Sequence, residues 1–507
     1  MQRHLVDQYL PALFARSISR AFDRPGRVVG WCLLAFAAVW LVDLNATSLS
    51  PPTDNIEQLT WVHAIAWGYY KHPPLPTWLI WLPVRLFGDT AAVSYVAGAT
   101  CTLLSLALMW NLLHRLRGPR YAAVALMAAL CITYYNGRLY FYNHETVLML
   151  FVAASASLYW QAHSTGRTKW WLALGAAVGL GALAKYQMAV AATCIVVFWW
   201  WQGSWRVLQR RRGLLLAALV ALLVFAPHIA WLRLHDFGPI HYASASSLGA
   251  DHPWGQRWLD STNWLASQLL NRGLPAWLLL AFASRGRRRS QRSAQPGASP
   301  HAGIEPGSRS FLIVWGIVPL LFVPVMGLLV GAHLQKHWGT PFLMLAVPAV
   351  MELSASVVDW QRVAPRSLVG VFLVLQLLLL AETQLTAPSG PAVLRDPGWR
   401  SFDSQALAQA VESPARRALG GRICLVSGPP EAAGALALRL QDRPLVLIDG
   451  QLDRSPWVDP LLPERCGVLR LRDGAPSAGW IPLGAAFPQL SWQIVEPGRT
   501  LDTNRPN

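Results

Sequence analysis

Residues 170–201 read WWLALGAAVGLGALAKYQMAVAATCIVVFWWW, an apolar stretch of 32 residues whose one charged side chain, Lys185, lies near its centre. As a single α-helix this stretch would be ~48 Å long. The hydrocarbon core of a bilayer is only ~30 Å thick. If the chain lies in a membrane, the stretch is therefore either one overlong helix or a hairpin of two spans. The choice fixes the side on which every later loop lies.

The composition places the chain in a membrane. Its 507 residues are 53% hydrophobic and only 14% charged, with a mean hydropathy of +0.32, which is too apolar for a soluble protein of this length. Tryptophan is abundant, and many copies stand at the ends of apolar runs, such as Trp160 and Trp199–Trp201. An amphipathic ring favours the headgroup level at such positions. The sequence predicts many membrane crossings.

Nine further apolar stretches have the length of a membrane-spanning helix. They cover residues 28–44, 91–112, 121–137, 144–162, 213–232, 264–284, 311–330, 338–354 and 367–383. If residues 170–201 form a hairpin, the loops on the amino-terminal side hold 22 Lys and Arg residues, whereas the opposite loops, together with Arg272 in the outer half of the next span, hold only eight. Because cytoplasmic loops carry the excess of Lys and Arg, we predict a hairpin, eleven spans, a cytoplasmic amino terminus and an external carboxyl terminus.

The chain divides into three regions. Residues 1–27, with arginines among apolar residues and no small-residue cleavage site, predict a cytoplasmic amphipathic segment rather than a removable signal peptide. Residues 28–383 form the α-helical polytopic membrane domain, whose first periplasmic loop, 45–90, contains a helical stretch (55–67) and an apolar stretch (76–87) too short to cross. Residues 388–507 form a soluble domain.

The soluble domain alternates β-rich and helical patterns. Its strand-like runs are 423–426, 444–448 and 468–471, and its helical runs are 404–419 and 431–440. This order favours a small α/β fold. Its two cysteines, Cys424 and Cys466, would form a disulfide in an oxidising periplasm or pack as free thiols, and the sequence leaves both alternatives open.

The net charge of +17 does not indicate a nucleic-acid partner. The arginines stand in short loops beside apolar segments and form no basic aromatic face. The predicted topology instead gathers polar groups on the outer side of the membrane or at its boundary. They are Asp54, Glu57, Lys71, His72, Glu145, Lys185, His235, Asp236, Lys336 and His337. We take this face as the candidate active site.

Asp54 and Glu57 stand three residues apart, on one side of a helix. A carboxylate there could accept a proton from an attacking hydroxyl. The alternative is that Asp54 caps the helix that follows it.

The outer cations suit a phosphate at the membrane boundary. They are Lys71, Lys185 and Lys336, with His72, His235 and His337 as further donors. The alternative for any one lysine is snorkelling to anionic headgroups. Lys185 is the hardest to explain that way, because it stands between two apolar halves of a hairpin.

The outer histidines and acids leave a divalent metal ion open as an alternative to hydrogen-bonded surface histidines. The eligible ligands, His72, His235, His337, Glu57 and Glu145, show no diagnostic spacing, so we predict no metal-ligand set. The chain also lacks a Gly-x-Ser-x-Gly, Cys-His or P-loop arrangement, which argues against covalent catalysis and nucleotide hydrolysis.

Five segments in this order resemble a known family. They are the acidic first loop, WGYYKHPPLPTWL (67–79), LAKY (183–186), PHIAWLRLHD (227–236) and KHWGTP (336–341). Together they resemble bacterial membrane glycosyltransferases of the protein mannosyltransferase and lipid A aminoarabinose transferase type, a glycosyltransferase family 39-like group with the GT-C fold. The resemblance covers roughly residues 28–383.

The resemblance implies an inverting transfer of a sugar from a polyprenyl-phosphate donor to a glycan, lipid or protein acceptor at the periplasmic face of the inner membrane. Asp54 would then activate or position the acceptor, with Glu57 as the second acid. The donor and its phosphate would be bound by Tyr70, Lys71, His72, Glu145, Lys185, Tyr186, His235, Lys336 and His337. The partners would be this lipid-linked donor, membrane lipids and the acceptor.

One feature departs from the family. Relatives commonly carry Asp-Glu in the first loop, whereas this chain carries Asp54-Asn55, and an amide cannot act as a base. Either Glu57 replaces the second carboxylate one helical turn along, or the acceptor needs only one acid. The main rival function is a transporter or lipid flippase, which would be expected to show repeated halves and ionisable groups at mid-membrane depth.

Overall fold

A computed structural model describes residues 24–247, 252–285, 306–474 and 478–498. Residues 1–23 of the predicted amphipathic segment, and most of the arginine-rich loop after residue 285, lie outside this range. The described membrane region is built from helices. They are α1 (Arg24–Ala46), α2 (Thr53–Trp61), α3 (Leu75–Phe87), α4 (Ala91–Arg117), α5 (Pro119–Ala129), α6 (His144–Thr165), α7 (Thr168–Ala184), α8 (Met188–Trp201), α9 (Leu208–Leu234), α10 (Gly238–Ser246), α11 (Trp254–Ala266), α12 (Leu274–Arg285), α13 (Ser308–Val330), α14 (Leu343–Leu353) and α15 (Val369–Leu385).

The apolar stretch 170–201 is two helices, as predicted. Helix α7 ends at Ala184 and α8 begins at Met188, with Lys185 extended between them. The Lys185 carbonyl accepts the Met188 amide at 3.0 Å, which closes the turn. The break leaves Lys185 at a helix junction, where its side chain can turn towards a neighbouring helix.

Five helices are long and apolar enough to cross a membrane: Gly26–Ala46, Ala91–Arg117, Leu208–Leu234, Ser308–Val330 and Pro365–Leu385. Shorter apolar helices accompany them, among them both halves of the hairpin. The protein is a multi-pass, membrane-embedded chain. The count of eleven crossings stays a prediction.

Three predicted spans are less regular than their hydropathy indicates. Helix α5 stops at Ala129, a π-helical turn (Ser267–Arg272) separates α11 from α12, and a 3₁₀ turn (Lys336–Gly339) precedes α14. Non-helical backbone at such positions needs hydrogen-bond partners within the protein. The segment after α5 supplies such partners to the backbone near the 3₁₀ turn. The Tyr134 hydroxyl donates to the Lys336 carbonyl, and the Tyr135 hydroxyl donates to the Thr340 carbonyl at 2.8 Å.

The carboxyl-terminal domain is the expected small α/β unit. Its elements are α16 (Ser404–Ala418), β1 (Leu425–Gly428), α17 (Pro430–Ala437), β2 (Leu445–Ile448), α18 (Leu462–Cys466), β3 (Val468–Asp473), β4 (Ile481–Pro482) and β5 (Leu490–Val495). The sheet order is β2-β1-β3-β5-β4, with β1 parallel to β2 and β3, and β5 antiparallel to β3 and β4. Cys424 and Cys466 form a disulfide, which resolves the open alternative.

This domain packs against the first loop, residues 45–90. Trp61 and Tyr69 of the loop belong to the same buried hydrophobic cluster as the domain's own core. Helix α17 approaches α2 so closely that a side chain at Gly434 would collide with Ile56. The loop is therefore held between the membrane helices and the soluble domain.

Candidate active site

Asp54 lies in the first turn of α2 but does not cap it. The N-cap residue is Pro52, and no side chain bonds the free amides there. The Asp54 carboxylate instead accepts a hydrogen bond of 2.9 Å from the side-chain amide of Asn143. Asn143 in turn caps α6, accepting from the Thr146 amide at 2.9 Å. The start of α6 thus positions Asp54, and the capping interpretation of Asp54 is wrong.

Asn55 faces away from Asp54 into the protein. Its amide nitrogen donates to the Ser94 hydroxyl at 2.9 Å and to the Tyr140 carbonyl at 2.8 Å. Its carbonyl oxygen accepts the Tyr142 amide at 2.9 Å. The buried Asn55 amide connects α2 to α4 and to the segment before α6. An amide in place of a second acid at position 55 therefore removes no carboxylate from the cavity that Asp54 lines.

Glu57 faces the same small cavity as Asp54. This cavity of about 30 Å³ is lined by Thr53, Asp54, Glu57, Lys71, Pro430 and Glu431. The Glu57 carboxylate pairs with the Lys71 ammonium at 2.5 Å. Burial raises the pKa of Glu57 against the lowering effect of Lys71. Burial likewise opposes charge on Lys71, but the Glu57 carboxylate raises the Lys71 pKa above its usual value, so the lysine stays charged.

A second buried ion pair joins Glu145, at the start of α6, to Lys185 in the break between α7 and α8. The two side chains are in direct contact, and Glu145 is only 4% exposed. His337 Nε2 approaches the same Glu145 oxygen at 3.3 Å. The Lys185 ammonium also lies 5.9 Å from the centre of the Trp338 ring. Three predicted residues, Glu145, Lys185 and His337, therefore meet in one cluster.

His72 and His144 lie close to both buried carboxylates, Glu57 and Glu145. Their ring centroids are 4.1 Å apart. Glu57, His72 and His144 each offer one ligand atom, and these atoms lie within 4.8 Å of one another. Burial, and then the neighbouring His144, lower the pKa of His72 well below its usual value, so it is neutral at pH 7. Sequence reasoning missed His144, because it stands beside Glu145 at a helix start without any motif.

Two arginines beside this site were also missed. Arg138 and Arg272 flank the Tyr134 ring, with guanidinium carbons 6.0 and 5.2 Å from its centre. Arg138 is within electrostatic range of both Arg272 and Asp54. Within the described ranges, neither arginine is within ion-pair distance of a carboxylate. Two neighbouring cations that form no ion pair within the described residues suit an anionic ligand.

Other predicted residues lie outside these clusters. The Tyr186 hydroxyl bonds His228 Nε2 at 2.8 Å, and His228 Nδ1 contacts the Trp67 carbonyl at 2.6 Å, which is an internal arrangement. His235 is exposed and stacks on Trp231 with ring centroids 4.1 Å apart. Lys336 contributes its carbonyl to Tyr134 and Gln268, while its side chain is exposed.

Tyr70 is a first-loop residue at the edge of the site, where the loop faces the soluble domain. Its ring is 5.4 Å from the Lys71 ammonium and 5.3 Å from the Arg454 guanidinium carbon. Burial raises the pKa of Tyr70 above its usual value, and the nearby Glu57 carboxylate adds to the effect. Tyr70 is therefore an uncharged hydrogen-bonding group at pH 7.

A larger cleft of about 610 Å³ opens beside Asp54, between the first loop and the soluble domain. It shares Thr53 and Glu431 with the small cavity at Asp54. Its lining includes three aromatic rings (Trp399, Phe402 and Phe487) and three acids (Asp403, Glu431 and Asp473). Within the part of the chain that the structure describes, no lysine or arginine lines it.

Comparisons with known proteins bear on this arrangement. The family model for dolichyl-phosphate-mannose-protein mannosyltransferase matches residues 71–231. The chain is 26% identical over 330 residues to the undecaprenyl phosphate-alpha-4-amino-4-deoxy-L-arabinose arabinosyl transferase of Edwardsiella ictaluri, covering 59% of this chain and 55% of that protein. It is 25% identical over 233 residues to the lipopolysaccharide core galacturonosyltransferase RgtA of Rhizobium johnstonii, covering 45% and 46%.

The chain thus spans about half the length of the curated relatives it matches. The structural similarity to solved proteins covers more of the chain than the sequence similarity does. The crystal structures of ArnT from Cupriavidus metallidurans, in the apo state and bound to undecaprenyl phosphate, each superpose with a TM-score of 0.61. The second covers 96% of this chain and 100% of that one at 15% identity. The GT-C fold and the family resemblance drawn from the sequence are confirmed.

Proposed function

We propose that this multi-pass GT-C membrane protein, which is similar to the lipid A aminoarabinose transferases, transfers a sugar from a polyprenyl-phosphate donor to an envelope acceptor with inversion at the anomeric carbon. The observation that carries the proposal is the meeting of Asp54, Lys71, Glu145 and Lys185 at one place, although they are distributed over 132 positions of the chain. Relatives that use undecaprenyl-phosphate sugars support the choice of donor.

The donor phosphate would lie among the cations of the site. Within the described residues, neither Arg138 nor Arg272 forms an ion pair with a carboxylate, and Lys185 is paired with Glu145. A phosphate leaving group already activates the sugar, so the site needs cations to stabilise the charge that develops on the departing oxygen. The prenyl chain would lie against the apolar helices.

Asp54 would act as the general base. An acceptor hydroxyl attacks the anomeric carbon, its proton passes to Asp54, and the bond from that carbon to the phosphate oxygen breaks with the electron pair leaving on polyprenyl phosphate. Asn143 holds the carboxylate at 2.9 Å and fixes its orientation. Glu57, paired with Lys71, would maintain the charge balance beside the base.

The acceptor would enter through the cleft beside Asp54. Its aromatic rings suit the apolar faces of sugars, and its acids suit sugar hydroxyls or amines. Lipopolysaccharide is the acceptor that the relatives' names support. We further propose that this chemistry takes place at the periplasmic face of the inner membrane, with the amino terminus in the cytoplasm and the soluble domain outside, as the distribution of Lys and Arg predicts.

The test is Asp54→Asn in a strain that lacks the native chain. We expect transfer to fall by about 100-fold or more, because general-base catalysis contributes roughly 10²–10⁴ in rate. Mass spectrometry of envelope glycans would identify the missing sugar and measure its loss. Asp359→Asn, whose side chain is 43% exposed and pairs with Arg362, is the matched control and should retain full transfer. Full transfer by the Asp54→Asn protein would refute the proposed base.

A further inference from the structure

We infer that Glu431 of the soluble domain determines acceptor specificity, so that the attacking group is the hydroxyl of a neutral or amine-bearing sugar and not a phosphate. The inference rests on the proposed sugar transfer and names the chemical class of its acceptor. Glu431 lines both the small cavity at Asp54 and the larger cleft beside it. It therefore stands where an acceptor in the cleft would approach Asp54.

The fold of the soluble domain places Glu431 at a ligand-binding edge of the sheet. Glu431 lies in the first turn of α17, directly after β1. Asp473 is the last residue of β3, which runs parallel to β1, and it lines the same cleft. The carboxyl ends of parallel strands share one edge of the sheet, and open α/β sheets bind their ligands there. The soluble domain thus presents this edge to the candidate active site.

The charge where the two cavities meet is negative. Glu431 is within electrostatic range of both Glu57 and Asp473. Of the described residues that line the small cavity, Lys71 is the cation, and it is already paired with Glu57 at 2.5 Å. Neither Asp54 nor Glu431 forms an ion pair within the described residues. A phosphate brought to this place would therefore meet like charges.

Two of the three acids in the cleft have no structural task. Asp403 caps α16, because its carboxylate accepts the Ala406 amide at 2.9 Å. The side chains of Glu431 and Asp473 are exposed, and in the described part of the chain no hydrogen bond or ion pair engages them. Partial burial raises the pKa of Asp473, and the Glu431 and Asp449 carboxylates add to the effect. Such acceptors suit a ligand that supplies hydroxyl or ammonium donors.

The groups that would recognise a phosphate lie elsewhere. Phosphate sites depend on arginine and lysine side chains, and among the described residues none of either type lines the cleft. Arg138 is within electrostatic range of Asp54 but lines neither cavity, and the proposed function places it at the donor phosphate. The cleft offers instead the rings of Phe402 and Phe487, with centroids 5.6 Å apart, for the apolar face of a sugar.

The test measures how two matched probes bind the full-length protein in detergent. One probe is an N-acetylglucosamine disaccharide that carries a phosphate monoester, and the other is the same disaccharide without the phosphate. We expect the unphosphorylated probe to bind at least about tenfold more tightly, because like charges oppose the phosphate. Glu431→Lys should abolish this preference or reverse it. The control, Glu464→Lys, makes the same charge change at an exposed position that lines neither cavity, and should keep the wild-type preference.

Equal binding of the two probes, tighter binding of the phosphorylated probe, or no binding of either would overturn the inference. So would a preference that Glu431→Lys leaves unchanged. Glu431 is exposed, so we expect its variants to fold, and thermal unfolding of Glu431→Lys beside Glu464→Lys checks this.

The linkage of the transferred sugar in cells separates this inference from the proposed function. Phosphorus NMR of lipopolysaccharide, from strains with and without the chain, shows a new phosphodiester if the sugar is added to a phosphate. Addition to a hydroxyl leaves the phosphorus signals unchanged, which is the expected result. A phosphodiester that depends on the chain would refute the inference and leave sugar transfer intact. If no sugar is added at all, the proposed transfer fails, whereas the preference between the two probes is still measured directly.

Discussion

Asn55 stands where the family resemblance predicts a second acid, and its hydrogen bonds explain why an amide suits this chain. It donates twice, to Ser94 and Tyr140, and accepts once, from Tyr142. A carboxylate at this buried position could only accept. The second acid of the loop is instead Glu57, which faces the cavity at Asp54. This placement supports the first of the two alternatives left open by the sequence.

We therefore expect Asn55→Asp to destabilise the protein by about 2 kcal/mol or more, since two buried acceptors lose their donor and a charge is buried. Thermal unfolding in detergent would measure the loss. Asn45→Asp makes the same change at an exposed position and should have almost no effect. An Asn55→Asp protein as stable as the wild type would contradict the structural role of this amide.

Lys185 and Glu145 are a mutually dependent pair. Their side chains are 14% and 5% exposed, so removing one partner leaves the other charge buried. We expect Lys185→Met to destabilise the protein by about 3 kcal/mol, and the double variant with Glu145→Gln to recover part of that loss. Unfolding of both variants, beside the exposed control Lys169→Met, would measure the coupling. Additive effects in the double variant would exclude a direct pair.

At the scale of elements, α7 packs against α9 through glycines. A methyl group at Gly175 would collide with the Ala217 carbonyl, and one at Gly179 would collide with Val224. The missing side chains allow the two helices to approach closely, as small residues do in membrane proteins. This contact positions the carboxyl end of α7, and with it Lys185.

Gly175→Ala should therefore destabilise the protein, although alanine is the better helix former. The same change at Gly370 in α15, where a methyl group meets open space, should stabilise it by about 0.5–1 kcal/mol. Thermal unfolding of the two variants should shift in opposite directions. Stabilisation by Gly175→Ala would contradict the close packing of α7 and α9.

At the scale of the whole molecule, the soluble domain forms one wall of the cleft beside Asp54. The Arg439 guanidinium donates to the Leu49 carbonyl at 3.1 Å, and Arg443 donates to the Asp89 carbonyl at 3.1 Å. These bonds reach both ends of the first loop. The domain and the loop therefore define the cleft together, and neither forms it alone.

If acceptors use this cleft, Ala406→Trp should reduce sugar transfer at least tenfold by filling it, since Ala406 lines the cleft from α16 and is only half-buried. Binding of the polyprenyl-phosphate donor should not change, because the donor's cations lie elsewhere. Ala410→Trp, one turn along the same helix and exposed, is the control. Normal transfer by Ala406→Trp would show that the acceptor enters by another route.

Local patterns in the sequence determined much of this protein. Hydropathy and the distribution of Lys and Arg predicted that 170–201 is two helices and not one, and alternation of β-rich and helical runs predicted the α/β domain. Both hold because helix and strand formation depend on residues near one another in the chain. The same reasoning made spans 121–137, 264–284 and 338–354 too regular, because hydropathy does not register the Tyr134 hydroxyl, which bonds Gln268 in the π-helical turn and the Lys336 carbonyl in the 3₁₀ turn.

Only the tertiary structure decided which polar side chains meet. Asp54 and Asn143 are 89 positions apart, and Lys185 and Glu145 are 40 apart. No local pattern specifies such pairs, so His144, Arg138 and Arg272 were missed, while His235 and Lys336, which the predicted topology assigned to the same face, lie outside the clusters. Composition and local order determine which residues must avoid lipid, whereas their pairing depends on helix packing, because a buried charge is stable only where the fold brings a partner to it.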